Sequence, residues 1–315
     1  MSVDLKDTLV IGISSRALFD LEKGNDIFNT LGVIEYQKYQ IENEDCPLEK
    51  GTAFHLIKSL LKLNTTKKDR RLIEVVVMSR NSPDTGLRIL NSISHYNLSI
   101  TRSAFTSGDS LSKYIDAFNV DLFLSKSDSD IQEIIDSGRC AAALIYAPPE
   151  DFKPDERTVR IAFDADAVIF SDESEQIYKE SGLDKFKENE TQKVNIPLKE
   201  GPFGKFIKLL SKVQRGLDKN LMRIAIVTAR DYPSNIRVIK TLRSWGVNVD
   251  EAFFLGGLPK DKILKAFNAH IFFDDQDSYV LPASKAVPSS RVPYHKDSPL
   301  YRPQELILDK VQIKK

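Results

Sequence analysis

Apolar residues run along this chain in two rhythms. In the later half, "RIAFDADAVIF" from Arg160, "MRIAIVTAR" from Met222, "VDEAFFLGG" from Val249 and "AHIFFDDQ" from Ala269 are short, nearly unbroken apolar runs, the signature of strands buried on both faces. Between them "SNIRVIKTLRSWG" from Ser234 and "PKDKILKAFNA" from Pro259 place apolar residues at helical spacing, the first closed by Gly246. Strand-helix alternation predicts right-handed crossovers and a parallel sheet, with a ligand crevice beyond the strand C-termini. The segment 172–221 interrupts the alternation. Its helical patterns, "EQIYKESGLDKFKENE" and "FGKFIKLLSKVQRGL", meet at Gly201-Pro202 and predict a small helical cap above the crevice.

The same pattern occurs earlier in the chain. "LVIGISSRALFD" from Leu9 overlays "VRIAFDADAVIF" from Val159 at a separation of 150 residues, and "CPLEKGTAFHLIKSLL" from Cys46 overlays "IPLKEGPFGKFIKLLS" from Ile196 at the same separation. "VMSRNSP" from Val77 then lies over "VTARDYP" from Val227, and past Ile89/Ile239 one residue drops out, so that Ala117 meets Ala266. A register this persistent points to two copies of one α/β domain, 1–150 and 151–315.

Composition narrows the function. At 315 residues the chain is long enough for two such domains. Its 45 Lys and Arg balance 45 Asp and Glu, so no overall field draws nucleic acid or anionic lipid, and an anionic ligand must be held locally. Cys46 and Cys140 offer neither a disulfide framework nor metal-ligand spacing, which fits a reducing cytoplasm. "MSVDLKDTLVIGISSRALFD" sets acidic residues before a short apolar run, and no stretch of about 18 apolar residues follows. Neither export nor membrane insertion is expected.

Chemistry collects at the strand ends of the later half. In order they carry Asp164 with Asp166, Thr228, Lys260 a few residues past its strand, and Asp274 with Asp275. A carboxylate nucleophile, a second acid two residues on, a hydroxyl and an ammonium for phosphoryl oxygens, and an acidic pair for Mg²⁺ together make a phosphoryl-transfer site. Lys262 stands two residues from Lys260 as its rival. An acidic pair alone is usually a turn or a helix cap; it is the ordered companions that point to chemistry.

With these residues in this order the chain resembles the haloacid dehalogenase-like phosphatase superfamily: "DADAV" matches its DxDx(T/V) opening, and Thr228, Lys260 and "DD" its later motifs. "SSRALFD", "SRNSPDTGLRIL", "FDADAVIFSDESE", "LGGLPK" and "FFDDQ" are similar to stretches of the cytosolic type I 5'-nucleotidase family and its bacterial relatives, and the resemblance covers nearly the whole chain. Ala165 departs from the glycine expected there. The resemblance implies two tandem Rossmann-like domains with small helical caps. It also implies Mg²⁺-dependent hydrolysis of nucleoside 5'-monophosphates, AMP or a similar nucleotide, in the cytoplasm. Asp164 would attack phosphorus to form an aspartyl-phosphate, Asp166 would act as acid and then base, and Thr228 and Lys260 would bind phosphoryl oxygens. The metal would be held by the Asp164 carboxylate, the Asp166 main-chain carbonyl, Asp274 and Asp275.

Several readings stay open at this point. The four motifs specify phosphoryl transfer and not the leaving group, so a phosphatase for sugar phosphates or other small phosphomonoesters is one alternative. A nonenzymatic nucleotide sensor is another. In the first copy the catalytic positions read Ser14, Arg16, Met78, Leu111, Ser125 and Lys126, so that copy is expected to be inactive. It is a structural partner, a source of substrate contacts from Ser15, Arg16, Arg80 or Asn81, or a site for a nucleotide effector, since the family is linked with ADP activation. Arg230 either steers phosphate or makes an ordinary salt bridge. Asp172 and Glu173, in the acidic run "SDESE", are a solvated helix start or contacts to the nucleoside. Trp245 reads as core, the four histidines as structural or surface residues, and a homo-oligomer is left open.

Overall fold

The apolar runs become strands; those from Arg160, Met222 and Ala269 are buried, while the run from Val249 is half-buried at the edge of the sheet. The computed structural model describes residues 5, 7–67, 70–150 and 152–303; the ends 1–4 and 304–315 of the two expected copies lie outside the described residues. The first half contains strands β1 (Leu9–Ile13), β2 (Phe19–Asp20), β3 (Glu49–Lys50), β4 (Ile73–Ser79), β5 (Arg102–Phe105), β6 (Leu122–Ser125) and β7 (Ala141–Ile145), and the second half β8 (Val159–Phe163), β9 (Met222–Thr228), β10 (Glu251–Phe254), β11 (Ile271–Asp274) and β12 (Ser289–Arg291). The helices are α1 (Ser15–Leu18), α2 (Glu22–Leu31), α3 (Val33–Glu42), α4 (Phe54–Lys62), α5 (Pro83–His95), α6 (Asp128–Ser137), α7 (Glu173–Gln192), α8 (Gly204–Arg215), α9 (Asn235–Ser244), α10 (Asp261–Phe267) and α11 (Asp277–Ser284).

Ten of these strands form one sheet in the order β10-β9-β8-β11-β12-β7-β6-β1-β4-β5. Every neighbouring pair is parallel except β12 with β7, which is antiparallel. The same strand order therefore occurs on each side of that junction with the strand direction reversed, and the strand C-termini of the two halves lie at opposite rims of the sheet. Helices cover both faces, as a parallel sheet requires. One apolar cluster runs through both halves, from Leu9, Ile11 and Phe54 to Phe163, Phe203 and Phe273.

Strand pairing corrects the repeat register. Leu9 pairs with Ile73 and Val159 with Met222, so the one-residue loss falls before β4 and not past Ile89. Ser79, not Met78, then occupies the place of Thr228, and Asn81 that of Arg230. Local hydrogen bonds agree: Asn81 N donates to Ser79 Oγ at 3.2 Å as Arg230 N donates to Thr228 Oγ1 at 3.2 Å. Similar apolar character on both sides of the slip hides it from sequence comparison.

Within 172–221, α7 is a helical hairpin bent at Gly182, whose φ is +80°. The following helix α8 instead lays Phe206, Ile207, Leu210 and Val213 into the core, because its apolar stripe matches the sheet face. Between them the chain returns so close to the strand exit that a Cβ on Gly201 would lie 2.1 Å from Phe170 O; only glycine permits that approach.

Candidate active site

Parallel strands deliver their C-terminal residues to one rim, and in the second half those residues are Asp164 after β8, Thr228 ending β9 and Asp274 ending β11. Lys260, just before α10, is 2% exposed. Its Nζ lies 2.9 Å from Asp164 Oδ1 and 2.6 Å from Asp274 Oδ2, with the Tyr279 ring centroid 4.4 Å away. Lys262 is exposed, so the geometry selects Lys260. Asp274 is fixed further by Gln276 N, which donates to its Oδ1 at 2.9 Å. Tyr294 donates its hydroxyl to Asp275 Oδ2.

Asp164, Asp274 and Asp275 are buried and each offers an oxygen, these atoms lying within 4.8 Å of one another. Two of these acids pair with the Lys260 ammonium, and Asp275 adds a third negative charge beside them. Burial raises the carboxyl pKa of all three, Asp164 to about 7 despite the opposing charge of Lys260, while Asp274 and Asp166 add to the rise. A water-poor site with surplus negative charge and hard oxygen donors fits a divalent cation of the Mg²⁺ type.

Asp166 stands apart from this cluster. Its carboxylate is held by Arg230 in a two-pronged pair, Nε to Oδ2 and Nη2 to Oδ1, both 2.7 Å. The turn that presents it, Ala165–Ile169, contains Ala167 at φ +57°, a left-handed conformation uncommon for alanine. Ala165, in the expected glycine position, is fully buried in the core. Arg230 is buried, with its remaining bonds to Glu190 Oε2 at 2.5 Å and Ser234 O at 3.1 Å. Its donors therefore go to protein partners.

The other candidates are placed as follows. Asp172 accepts from Ser298 Oγ and lines a cavity of about 570 Å³ between the halves. Glu173 pairs with Lys193 at 3.0 Å and Lys199 at 3.6 Å. Ser15, Arg16, Arg80 and Asn81 converge on a separate cavity of about 630 Å³. There Ser15 Oγ is 3.0 Å from Ser79 Oγ, Arg16 pairs with Glu22 at 3.0 Å, Arg80 Nε donates to Asp130 at 2.7 Å, and Asn81 accepts from Tyr36 at 3.1 Å. That cavity lies at the opposite rim, with β1 and β8 five strands apart in the sheet, about 24 Å at ordinary strand spacing. The structure brings these four residues together with each other, not with Asp164.

Sequence reasoning missed Tyr294, Glu175, Gln276 and Glu190. Gln276 Nε2 donates to Glu175 Oε1 at 3.2 Å, and burial raises the Glu175 pKa. Only the "SDESE" run hinted at Glu175; nothing local marked Tyr294.

Comparison with known proteins now bears on this rim. A family model described as 5'-nucleotidase matches residues 1–299. The chain belongs to the 5'-nucleotidase family. Among curated proteins of the family, human (Homo sapiens) cytosolic 5'-nucleotidase 1B is 37% identical over 292 residues, which is 89% of this chain and 48% of that protein. The chain thus spans about half the length of that relative. No solved structure gives a significant match. The family membership is the one the motifs implied, and it places the chain in the haloacid dehalogenase-like superfamily. Among the described residues no helix is long and apolar enough to cross a membrane.

Proposed function

We propose that the chain is a cytosolic, Mg²⁺-dependent phosphatase of nucleoside 5'-monophosphates, acting through an aspartyl-phosphate on Asp164. The observation that carries this is the buried cluster of Asp164, Asp274 and Asp275, two of whose acids pair with Lys260, together with membership of a family named for that activity. In our reading the two halves are copies of one domain, 1–150 and 151–315, with α7 as the cap of the active copy. The first copy lacks a nucleophile, since Ser14 and Lys126 stand where Asp164 and Asp275 stand in the second, so we assign it no turnover.

The residues divide the work as follows. The Asp164 carboxylate attacks phosphorus as the bond from phosphorus to O5' breaks, and Asp166 gives its proton to the departing oxygen. Water then attacks phosphorus, Asp166 takes its proton, the acyl-phosphate P–O bond breaks, and inorganic phosphate leaves. Lys260 and Thr228 hold the phosphoryl oxygens in line. Asp164, Asp274, Asp275 and the main-chain carbonyl of Asp166 would hold Mg²⁺, which supplies charge neutralisation of the phosphoryl group and keeps Asp164 ionised.

The test is phosphate release from a panel of nucleoside 5'-monophosphates and sugar phosphates, with Mg²⁺ and with EDTA. Release of phosphate from nucleotides, abolished by EDTA, is expected. Preference for a sugar phosphate would move the assignment to another phosphomonoesterase, and no Mg²⁺-dependent release from any member would leave a binding protein.

A further inference from the structure

Asp275 is the acid of the cluster that Lys260 does not hold. Lys260 pairs with Asp164 and Asp274, whereas Asp275, 6% exposed, accepts the Tyr294 hydroxyl. Tyr294 belongs to the stretch after β12, where 292–299 forms neither helix nor strand. Val292 N still donates to Asp274 O at 2.8 Å, but past that bond no ladder fixes the chain, and its side chains are aimed only as well as it is anchored.

The anchors come from the first half. Gln132 Nε2 donates to Tyr294 O at 3.0 Å, Lys296 N donates to Asp136 Oδ1 at 2.8 Å, and His295 Nε2 lies 3.1 Å from Asp136 O. Gln132 and Asp136 stand one turn apart on α6 and are themselves joined, Gln132 Nε2 to Asp136 Oδ1 at 3.0 Å, which employs both amide N–H groups. Ile131, Ile134 and Ile135 root α6 in the core. The reach across the halves follows from the junction. There β7 and β12 overlap antiparallel at Leu144 with Arg291 and Ile145 with Ser290, which brings the chain leaving β12 alongside the helix that leads into β7.

The two halves differ at each link of this chain. Ser125 pairs with Leu144 as Asp274 pairs with Arg291, so Lys126 takes the place of Asp275 and Ala147 that of Tyr294. The tyrosine is present where the acid is and absent where it is not. On α11 the places of Gln132 and Asp136 are taken by Leu281, which is exposed, and Lys285. Leu281 has no donor to offer a main-chain carbonyl. The support therefore runs one way, from the half without a nucleophile to the half that has one.

We infer that Gln132, together with Asp136, is a positioning residue for the metal-binding rim: α6 of the first half holds Tyr294 so that its hydroxyl fixes Asp275. The inference rests on the reading of Asp164, Asp274 and Asp275 as the Mg²⁺ site, and it gives the first half a part in the reaction without a catalytic group of its own. Partners that orient metal ligands set the affinity of a site almost as strongly as the ligands do.

The test is Mg²⁺ binding to the full chain, read by isothermal titration calorimetry without substrate, for the parent, Tyr294→Phe, Gln132→Leu and the two substitutions together. Tyr294→Phe should weaken binding about 10- to 100-fold, and Gln132→Leu, acting through it, by a smaller part of that, about three- to tenfold. The double variant should bind within about twofold of Tyr294→Phe alone, since without the hydroxyl Gln132 has nothing to aim. Parent-like affinity in either single variant, or losses that multiply in the double one, would overturn the inference while leaving the assigned function intact. Should the parent itself bind no Mg²⁺, the metal reading falls and the inference falls with it. If Gln132→Leu fails to fold, Asp136→Ala, which removes the bond to Lys296 N, carries the same cycle: a loss that disappears in the Tyr294→Phe background supports the inference, and a loss that persists there, or none at all, overturns it.

Discussion

The two rims of the sheet have the same backbone and opposite chemistry. After β8 stands Asp164; after β1 stands Ser14, whose hydroxyl merely caps α1 by accepting from Ala17 N at 3.3 Å. Where Asp274 and Asp275 end β11, Ser125 and Lys126 end β6, and Lys126 pairs with Glu22 at 2.8 Å. The acid-rich rim has carboxylates in excess and pKa values raised by burial, whereas the cations of the other rim meet acids directly. Such a sheet tolerates either set, so the fold does not require the acid-rich one, and the surplus charge of the second rim is held against a solvation cost. Not every chemical group is lost from the first rim, because Ser79 retains a hydroxyl at the place of Thr228.

The comparison can be broken most decisively at its centre. Asp164→Asn should lower Mg²⁺-dependent phosphate release by at least about 10³-fold, the scale of losing a nucleophile, while Ser14→Ala leaves it within about twofold. Comparable losses from both would remove the distinction between the rims.

Packing differs as well. Behind the acid-rich rim Phe273 lies 5.3 Å from Phe163 and 4.8 Å from Phe203 between ring centroids, where the first half has Leu124, Ile13 and Ala53. Phe273→Ala should cost about 3–5 kcal/mol, read as a lowered denaturant midpoint. Because β7 and β12 join the halves into one sheet, a single transition should shift.

Acid should act on the junction. His270 accepts from Arg160 N at 3.2 Å through Nδ1 and lies 3.4 Å from Ser59 Oγ of the first half; Asp121 does the corresponding job for Val10 N at 2.8 Å. Burial pushes the His270 pKa from its ordinary 6.5 down to about 4. The unfolded chain takes up this proton first, so the stabilisation is complete above pH 6.5, declines as pH falls, and is gone below about 4. The loss is about 3 kcal/mol. Denaturation midpoints between pH 7 and 4 should show this slope, and His270→Asn should flatten it.

The smallest expected effect concerns the metal. Tyr294→Phe removes the donor to Asp275 and should raise the Mg²⁺ concentration for half-maximal activity about 10- to 100-fold, with the maximal rate little changed. An unaltered Mg²⁺ requirement would show that Asp275 does not depend on this hydroxyl.

Much of the site was legible because strand-end chemistry is local. The runs ending in Asp164, Thr228 and Asp274 announced both strand and polar group, and "LGGLPK" favoured Lys260 over Lys262 without deciding between them. Arg230 was left evenly divided between phosphate and salt bridge, since its partners Asp166 and Glu190 come from two other elements and no periodicity relates them. Tyr294 reaches Asp275 from beyond β12, in a stretch without apolar rhythm.

By itself the amino-acid order determined the α/β alternation and the set of groups that meet at one rim, because burial period and turn chemistry act over a few residues. Only the tertiary structure decided that the halves run in opposite directions, which puts Arg16 and Arg80 far from Asp164, and that a cap glutamate reaches the acid through Arg230. Those outcomes depend on one antiparallel pairing and on charges brought together out of water from positions tens of residues apart, which local pattern does not encode.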